Sequence, residues 1–291
     1  LVGLEKTPPS HRPPLPLSKT QLRTRTAAGV LAPSDDETAR MFCEFVAERG
    51  HIAVMPRGFD EVCITVTSGR DASHSVDLRV GGEQVRGVLH RGIGAPVSEG
   101  GDAAFAHAEA LAVWWSALAL WDGPVINGAT RQGFLPPLDP LLLTHVPGVT
   151  LPPSSLGRPL SAATASELVN VHRERDGAFL GRGTEAIVPD ELLRFTRFDP
   201  DRVRYVLLAG DQVFDPSEAG GALAAATRSA LAPLLHRLRS LGADFCLLVV
   251  EPAGEECRLL DVSALPTHHQ FEAIRPQVFQ ALLDRLLGGP L

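Results

Sequence analysis

Apolar and polar positions fall into a readable rhythm from residue 27 onward. Residues 29–32 form a short apolar run, and Met41, Phe42, Phe45 and Val46 recur behind it at helical spacing. Ser34 and Glu37 stand in the S-x-x-E order of a capping box, which predicts that Ser34 opens this helix and Gly50 ends it. The apolar run "HIAVM" follows at once. Strand, capped helix, glycine and strand make one βαβ unit, which requires a parallel sheet. Short strands are then predicted at 62–67, 76–80 and 85–90, the last two joined by a tight turn at Gly81 and Gly82. The stretch "AAFAHAEALAVWWSALALW" (103–121) reads as a long buried helix packed behind them. It carries His107, Glu109 and Ser116, so a membrane span is the poorer reading. "GPVING" (123–128) is one more short buried strand.

The pattern changes after residue 130. "HVPGVTLPPSSLGRPL" is a proline-rich crossing, and 163–183 holds a short helix or strand with a turn at Asp176 and Gly177. Residues 203–214 form a hairpin that turns at 209–212. A helix follows Gly220 and Gly221, with Pro233 as a point where it can kink. A second hairpin turns at "PAGEE", and residues 276–287 form an amphipathic terminal helix. Hairpins flanked by helices predict an α+β unit. The expected organisation is therefore a tail at 1–25, an open α/β layer at 26–130 and an α+β domain at 131–291.

Composition alters this picture in three places. The tail "TPPSHRPPLPLSKT" is proline-rich and cannot build a core, so polyproline II or disorder is expected there. Its "RPPLPL" could dock in an SH3-type groove, but a solvated tail needs no partner. The net charge of -7 argues against a nucleic-acid partner. Four cysteines at 43, 63, 246 and 257 show no C-x-x-C spacing, so neither a zinc site nor a redox pair is indicated, and a reducing cytoplasm is the natural setting. Of 27 basic residues only Lys6 and Lys19 are lysines, both ahead of the folded body. Any mechanism that needs a lysine inside that body is excluded.

The candidate chemistry starts at "CRLLDVSALP" (257–266), where Asp261 ends an apolar strand. A buried carboxylate must be paired, hydrogen-bonded or metal-bound; metal ligation and strand-end hydrogen bonding account for Asp261 equally well. His107 and Glu109 form an H-x-E, but no P-C-x-x-C follows to complete a zinc deaminase. The glycines at 181–183 and 220–221 read as turns rather than phosphate cradles. Trp114 and Trp115 read as helix core. His268 and His269 are expected on an exposed loop, pointing different ways.

Taken in order, several segments resemble the ATP-grasp superfamily of carboxylate–amine ligases, nearest to the peptide-modifying and ribosomal-protein-glutamate-ligase types. The segments are "VRGVLHRG" ending at Arg91, "AEALAVWWSALALWDGPVINGATRQG", "VPGVTLPPSSLG", "VRYVLLAGDQVF" and "LLVVEPAGEECRLLDVSALP". The resemblance covers residues 29–287 and implies a pre-ATP-grasp open sheet followed by a shortened ATP-grasp domain. It implies ATP and Mg²⁺ as cofactors, because Mg²⁺ takes hard oxygen ligands between phosphates. Asp261 and Glu251 would be the acids, and Ser263 stands at the family's asparagine position. Arg204 would stabilise the transferring phosphoryl group as a fixed cationic fork. The two lysines that usually steady the nucleotide have no counterpart, and His172, Arg173 or Arg175 could substitute in charge. Two functions follow. One is an ATP- and Mg²⁺-dependent ligase that joins a peptide or small carboxylate to an amine through an acyl phosphate. The other is a degenerate ATP-grasp fold kept as a peptide-binding or scaffold partner of a modifying enzyme. A homodimer and a cytoplasmic location are expected with either, and no nucleic acid or membrane.

Overall fold

In the computed structural model, the described residues are 27–69, 74–92, 101–130, 133–134, 138, 140–152, 154–157, 169–173, 179–182, 193–197, 200–218, 220–253 and 256–288. The proline-rich tail lies outside them.

The first sheet is built on β1 (Ala27–Leu31), which lies parallel to β2 (Ile52–Val54) on one side and β5 (Glu83–His90) on the other. Helix α1 (Glu37–Glu48) connects β1 to β2, so the βαβ unit forms as the pattern predicts. Its cap differs. Asp36, not Ser34, precedes the first helical residue and accepts from the Ala39 amide at 2.9 Å. Glu37 is then the first helical residue, whereas a Ser34 box would need it two positions further in. Asp36 is also tied to the buried Arg91 at 2.8 Å, which fixes the carboxylate where the cap needs it. Strands β3 (Val62–Ser68) and β4 (His74–Val80) extend the sheet antiparallel from β5, and Gly81 and Gly82 turn with positive φ of 56° and 83°. Strand β6 (Val125–Ile126) lies parallel to the far end of β5. Helix α2 (Asp102–Leu120) covers one face through Trp114, Ala117 and Leu118. It is not buried all round as expected, because Phe105 is 68% exposed and Val113 58%.

A small hairpin, β7 (Ala129–Thr130) and β8 (Gly133–Phe134), leads out of this layer. Strand β9 (Val149–Thr150) follows. A four-stranded antiparallel sheet then runs β10 (Ser154–Gly157), β13 (Leu193–Arg197), β11 (Val169–Arg173), β12 (Phe179–Arg182) in spatial order. The third sheet has the order β15 (Gln212–Phe214), β14 (Arg204–Ala209), β16 (Phe245–Ala253), β17 (Glu256–Ser263), β9. Both predicted hairpins are present in it. Helix α3 (Ala225–Ser240) runs on through Pro233 and buries Leu231, Leu234, Leu235 and Leu238 against Val206, Leu208, Leu248, Val250 and Leu259.

The other face of the third sheet meets the N-terminal layer. Phe245, Leu247, Phe271, Phe279, Leu282 and Leu286 share one apolar cluster with Val30, Phe42, Leu89 and Ile126. Helix α4 (Arg275–Leu287) is the main packing element between the two, and Phe279 meets Phe42 and Phe271 edge-on at 5.4 and 5.9 Å. This junction places the end of β17 and the loop after it beside the ends of β1 and β5. No helix among the described residues is long and apolar enough to cross a membrane.

Candidate functional site

Directly paired residues of an antiparallel ladder share a face, and successive residues alternate. In the third sheet, Val249 pairs with both Tyr205 and Asp261, and Leu247 with both Leu207 and Ser263. A register shift between Val249 and Val250 lets Glu251 pair with Arg258 on that same face. So Glu251, Asp261 and Ser263 share the face that meets the N-terminal layer. Arg204 pairs with Val250 and lies on the opposite face with Val206 and Leu208. Its exposed guanidinium donates to the Asp201 and Val203 carbonyls at 3.5 and 2.9 Å. The structure therefore separates Arg204 from the acids. Arg173 ends β11 in the four-stranded sheet, and Arg175 lies outside the described residues.

Glu251 is 3% exposed. Its Oε1 lies 3.3 Å from Arg202 Nη1 and 3.5 Å from Arg258 Nη1. Arg202 is held in turn by the Pro252 carbonyl, at 2.9 Å from Nη2. Two guanidinium groups thus supply the partners a buried carboxylate requires. Arg202 escaped sequence reasoning because it closes the 3-10 turn Pro200–Arg202, outside the alternation of β14. Arg258 is in the stretch that drew attention to Asp261, but its pairing depends on a β-bulge that residue order does not reveal.

Asp261 is half-buried, and its Oδ1 accepts from the Val262 amide at 2.8 Å. Ser263 Oγ accepts from the Leu265 amide at 3.4 Å. The positions that face these two across the ladder, Val249 and Leu247, are apolar and add no oxygen. Mg²⁺ takes six oxygens in a near-ideal octahedron, supplied between phosphates by one or two carboxylates, phosphate oxygens and waters. Among the described residues this face offers Asp261, the Ser263 hydroxyl and Glu251, whose Oε1 is engaged by two arginines. These are oxygen donors of the kind Mg²⁺ takes, and the two arginines compete with any cation for Glu251.

Around the acids, the two layers are locked by buried polar groups. Asn127, at φ 55° and 1% exposed, donates through Nδ2 to the Phe245 and Ala264 carbonyls at 2.9 and 3.1 Å. Its Oδ1 accepts from the Phe245 amide at 2.8 Å. Arg91, 3% exposed, holds Asp36 and donates to the Pro266 carbonyl at 3.1 Å. The expected exposure holds for His269 and is overturned for His268. His268 is buried, and its ring lies 3.8 Å from that of His269 at an angle of 43°. Thr38 causes this: its Oγ1 accepts from the His268 amide at 3.0 Å and lies 3.3 Å from Nδ1. All four cysteines are free, and burial pushes the Cys43 thiol up to about 11 and those of Cys246 and Cys257 to about 12.

Solved structures share this architecture over nearly the whole chain. The macrocyclase MdnB from Microcystis aeruginosa matches with a TM-score of 0.58 at 18% identity, covering 91% of this chain and 100% of its own. The ATP-grasp ligase PsnB, solved with a minimal precursor, Mg and ADP, matches at 0.58 and 17%, over 92% and 99%. A RiPP-associated ATP-grasp ligase from Chryseobacterium gregarium, solved with ADP and a leader and core peptide, gives 0.55 and 12%, over 90% and 97%. No protein-family model and no curated protein matches the sequence. The chain has the ATP-grasp fold, with an open α/β layer followed by an α+β unit.

Proposed function

We propose that this chain is a non-catalytic ATP-grasp protein that binds a peptide without using ATP. The observation that carries this reading is Glu251, a buried acid already neutralised by Arg202 and Arg258. Releasing it to a cation would break both ion pairs of a carboxylate that is 3% exposed. The absence of lysine after Lys19 agrees, since each missing charge-assisted hydrogen bond to a phosphate weakens binding by about 1.5–3 kcal/mol. The peptide is inferred from structural neighbours, among them MdnC, which is solved bound to the precursor peptide MdnA. An active carboxylate–amine ligase is the second reading, favoured by Asp261 and Ser263 sharing one face at the spacing the family resemblance implies. Equilibrium dialysis of ATP with excess Mg²⁺, wild type beside Ser263→Asn, separates the two. The non-catalytic reading expects no retention of ATP by either protein below about 1 mM. Micromolar binding by the wild type would return the ligase to first place.

A further inference from the structure

Glu37, His268 and His269 come from two distant parts of the chain, yet one ligand atom from each lies within 4.8 Å of the others. Glu37 is the first residue of α1, and the two histidines open the 3-10 helix His268–Ile274 that follows β17. The geometry points to a site for a transition-metal cation of the Zn²⁺ class, held by two imidazoles and one carboxylate. This site is independent of whether nucleotide binds.

Three details carry the inference. His268 Nε2 and Glu37 Oε2 are 3.9 Å apart, too long for a hydrogen bond. Two donors on one tetrahedral ion, with bonds of about 2.0–2.1 Å, sit about 3.4 Å apart, so a small rotation brings both onto one centre. The outer contacts are those that orient metal ligands. Thr38 Oγ1 stands 3.3 Å from His268 Nδ1, and a proton donated there leaves the Nε2 lone pair aimed at Glu37. Arg40 donates to Glu37 Oε1 at 3.2 Å, leaving Oε2 to face the imidazole. Finally, His268 is 6% exposed while His269 and Glu37 reach solvent, so an ion could enter from outside and keep a fourth position for water or a donor atom of a bound molecule. Imidazole ligands select Zn²⁺, Co²⁺ or Ni²⁺ over Mg²⁺.

The test is a titration of the chelator-stripped full chain with Zn²⁺ against a chromophoric competitor, beside His269→Ala and Glu37→Gln. Both substitutions fall on exposed side chains, and a melting curve checks that each variant folds. One Zn²⁺ per chain is expected, with a Kd of about 1 µM or tighter, weakened at least about tenfold in each variant. Excess Mg²⁺ leaves it unchanged. Co²⁺ in its place gives visible bands without thiolate charge-transfer absorption. No stoichiometric Zn²⁺, affinity unchanged in either variant, displacement by Mg²⁺, or Co²⁺–thiolate absorption would overturn the proposal, the last by placing the ion on a cysteine.

Discussion

A residue that combines a positive φ, a buried amide and three hydrogen bonds has few substitutes, and Asn127 combines all of them. Asparagine tolerates the left-handed region better than other side chains with a Cβ. Asn127→Ala would keep the strain and orphan one amide and two carbonyls. A loss of about 3 kcal/mol in urea unfolding is expected, since each unsatisfied buried group costs about 1–3 kcal/mol. A loss below about 1 kcal/mol would show that water replaces the amide freely. His90 sets a pH dependence. Burial lowers its pKa from 6.5 to about 4, so the folded form holds it neutral. Above pH 6.5 neither state is protonated there, and its contribution is fully present. As pH falls from about 6.5 to 4 the unfolded chain takes up a proton that the folded chain refuses, and stability drops by up to about 1.4 kcal/mol per pH unit. Urea midpoints at pH 7 and 5 should converge in His90→Gln; an undiminished gap would assign the loss to other groups.

Helix α4 touches β5 at a point where no side chain fits. A Cβ on Gly87 would collide with the backbone of Leu286, so Gly87→Ala must push the helix off the sheet. We expect at least about 2 kcal/mol of destabilisation by thermal unfolding, and an unaltered melting temperature would contradict this packing. Elements of this kind show how far the sequence can be read. The βαβ unit, both hairpins of the third sheet and α4 are legible because their signals are local: periodicity, a paired glycine turn, an amphipathic stripe. The α1 cap departs from the expected box because Arg91, 55 residues away, decides which acid is held. Helix α2 departs from full burial because a helix apolar on every side gives no sign of which side is covered. At the site, the shared face of Glu251, Asp261 and Ser263 follows from strand alternation. The ion pairs of Glu251 do not, because one arginine sits in a turn before its strand and the other reaches Glu251 past a bulge.

At the scale of the molecule, three sheets are arranged as in a protein solved with nucleotide, and on the face the resemblance assigns to a metal Glu251 is paired with Arg202 and Arg258. On the non-catalytic reading proposed above, Glu251 serves stability and not a cation. Glu251→Gln should cost about 1–2 kcal/mol, discounted because Arg202 and Arg258 are 52% and 41% exposed and can be solvated. The most direct test is the melting temperature of wild type and Glu251→Gln, each with and without Mg²⁺–ATP. A ligand at about 100 times its Kd adds about 2.7 kcal/mol, which raises the melting temperature of a chain this size by about four degrees. A structural Glu251 predicts a lower melting temperature for Glu251→Gln and no shift with Mg²⁺–ATP in either protein. A rise of several degrees in the wild type that disappears in Glu251→Gln would contradict it.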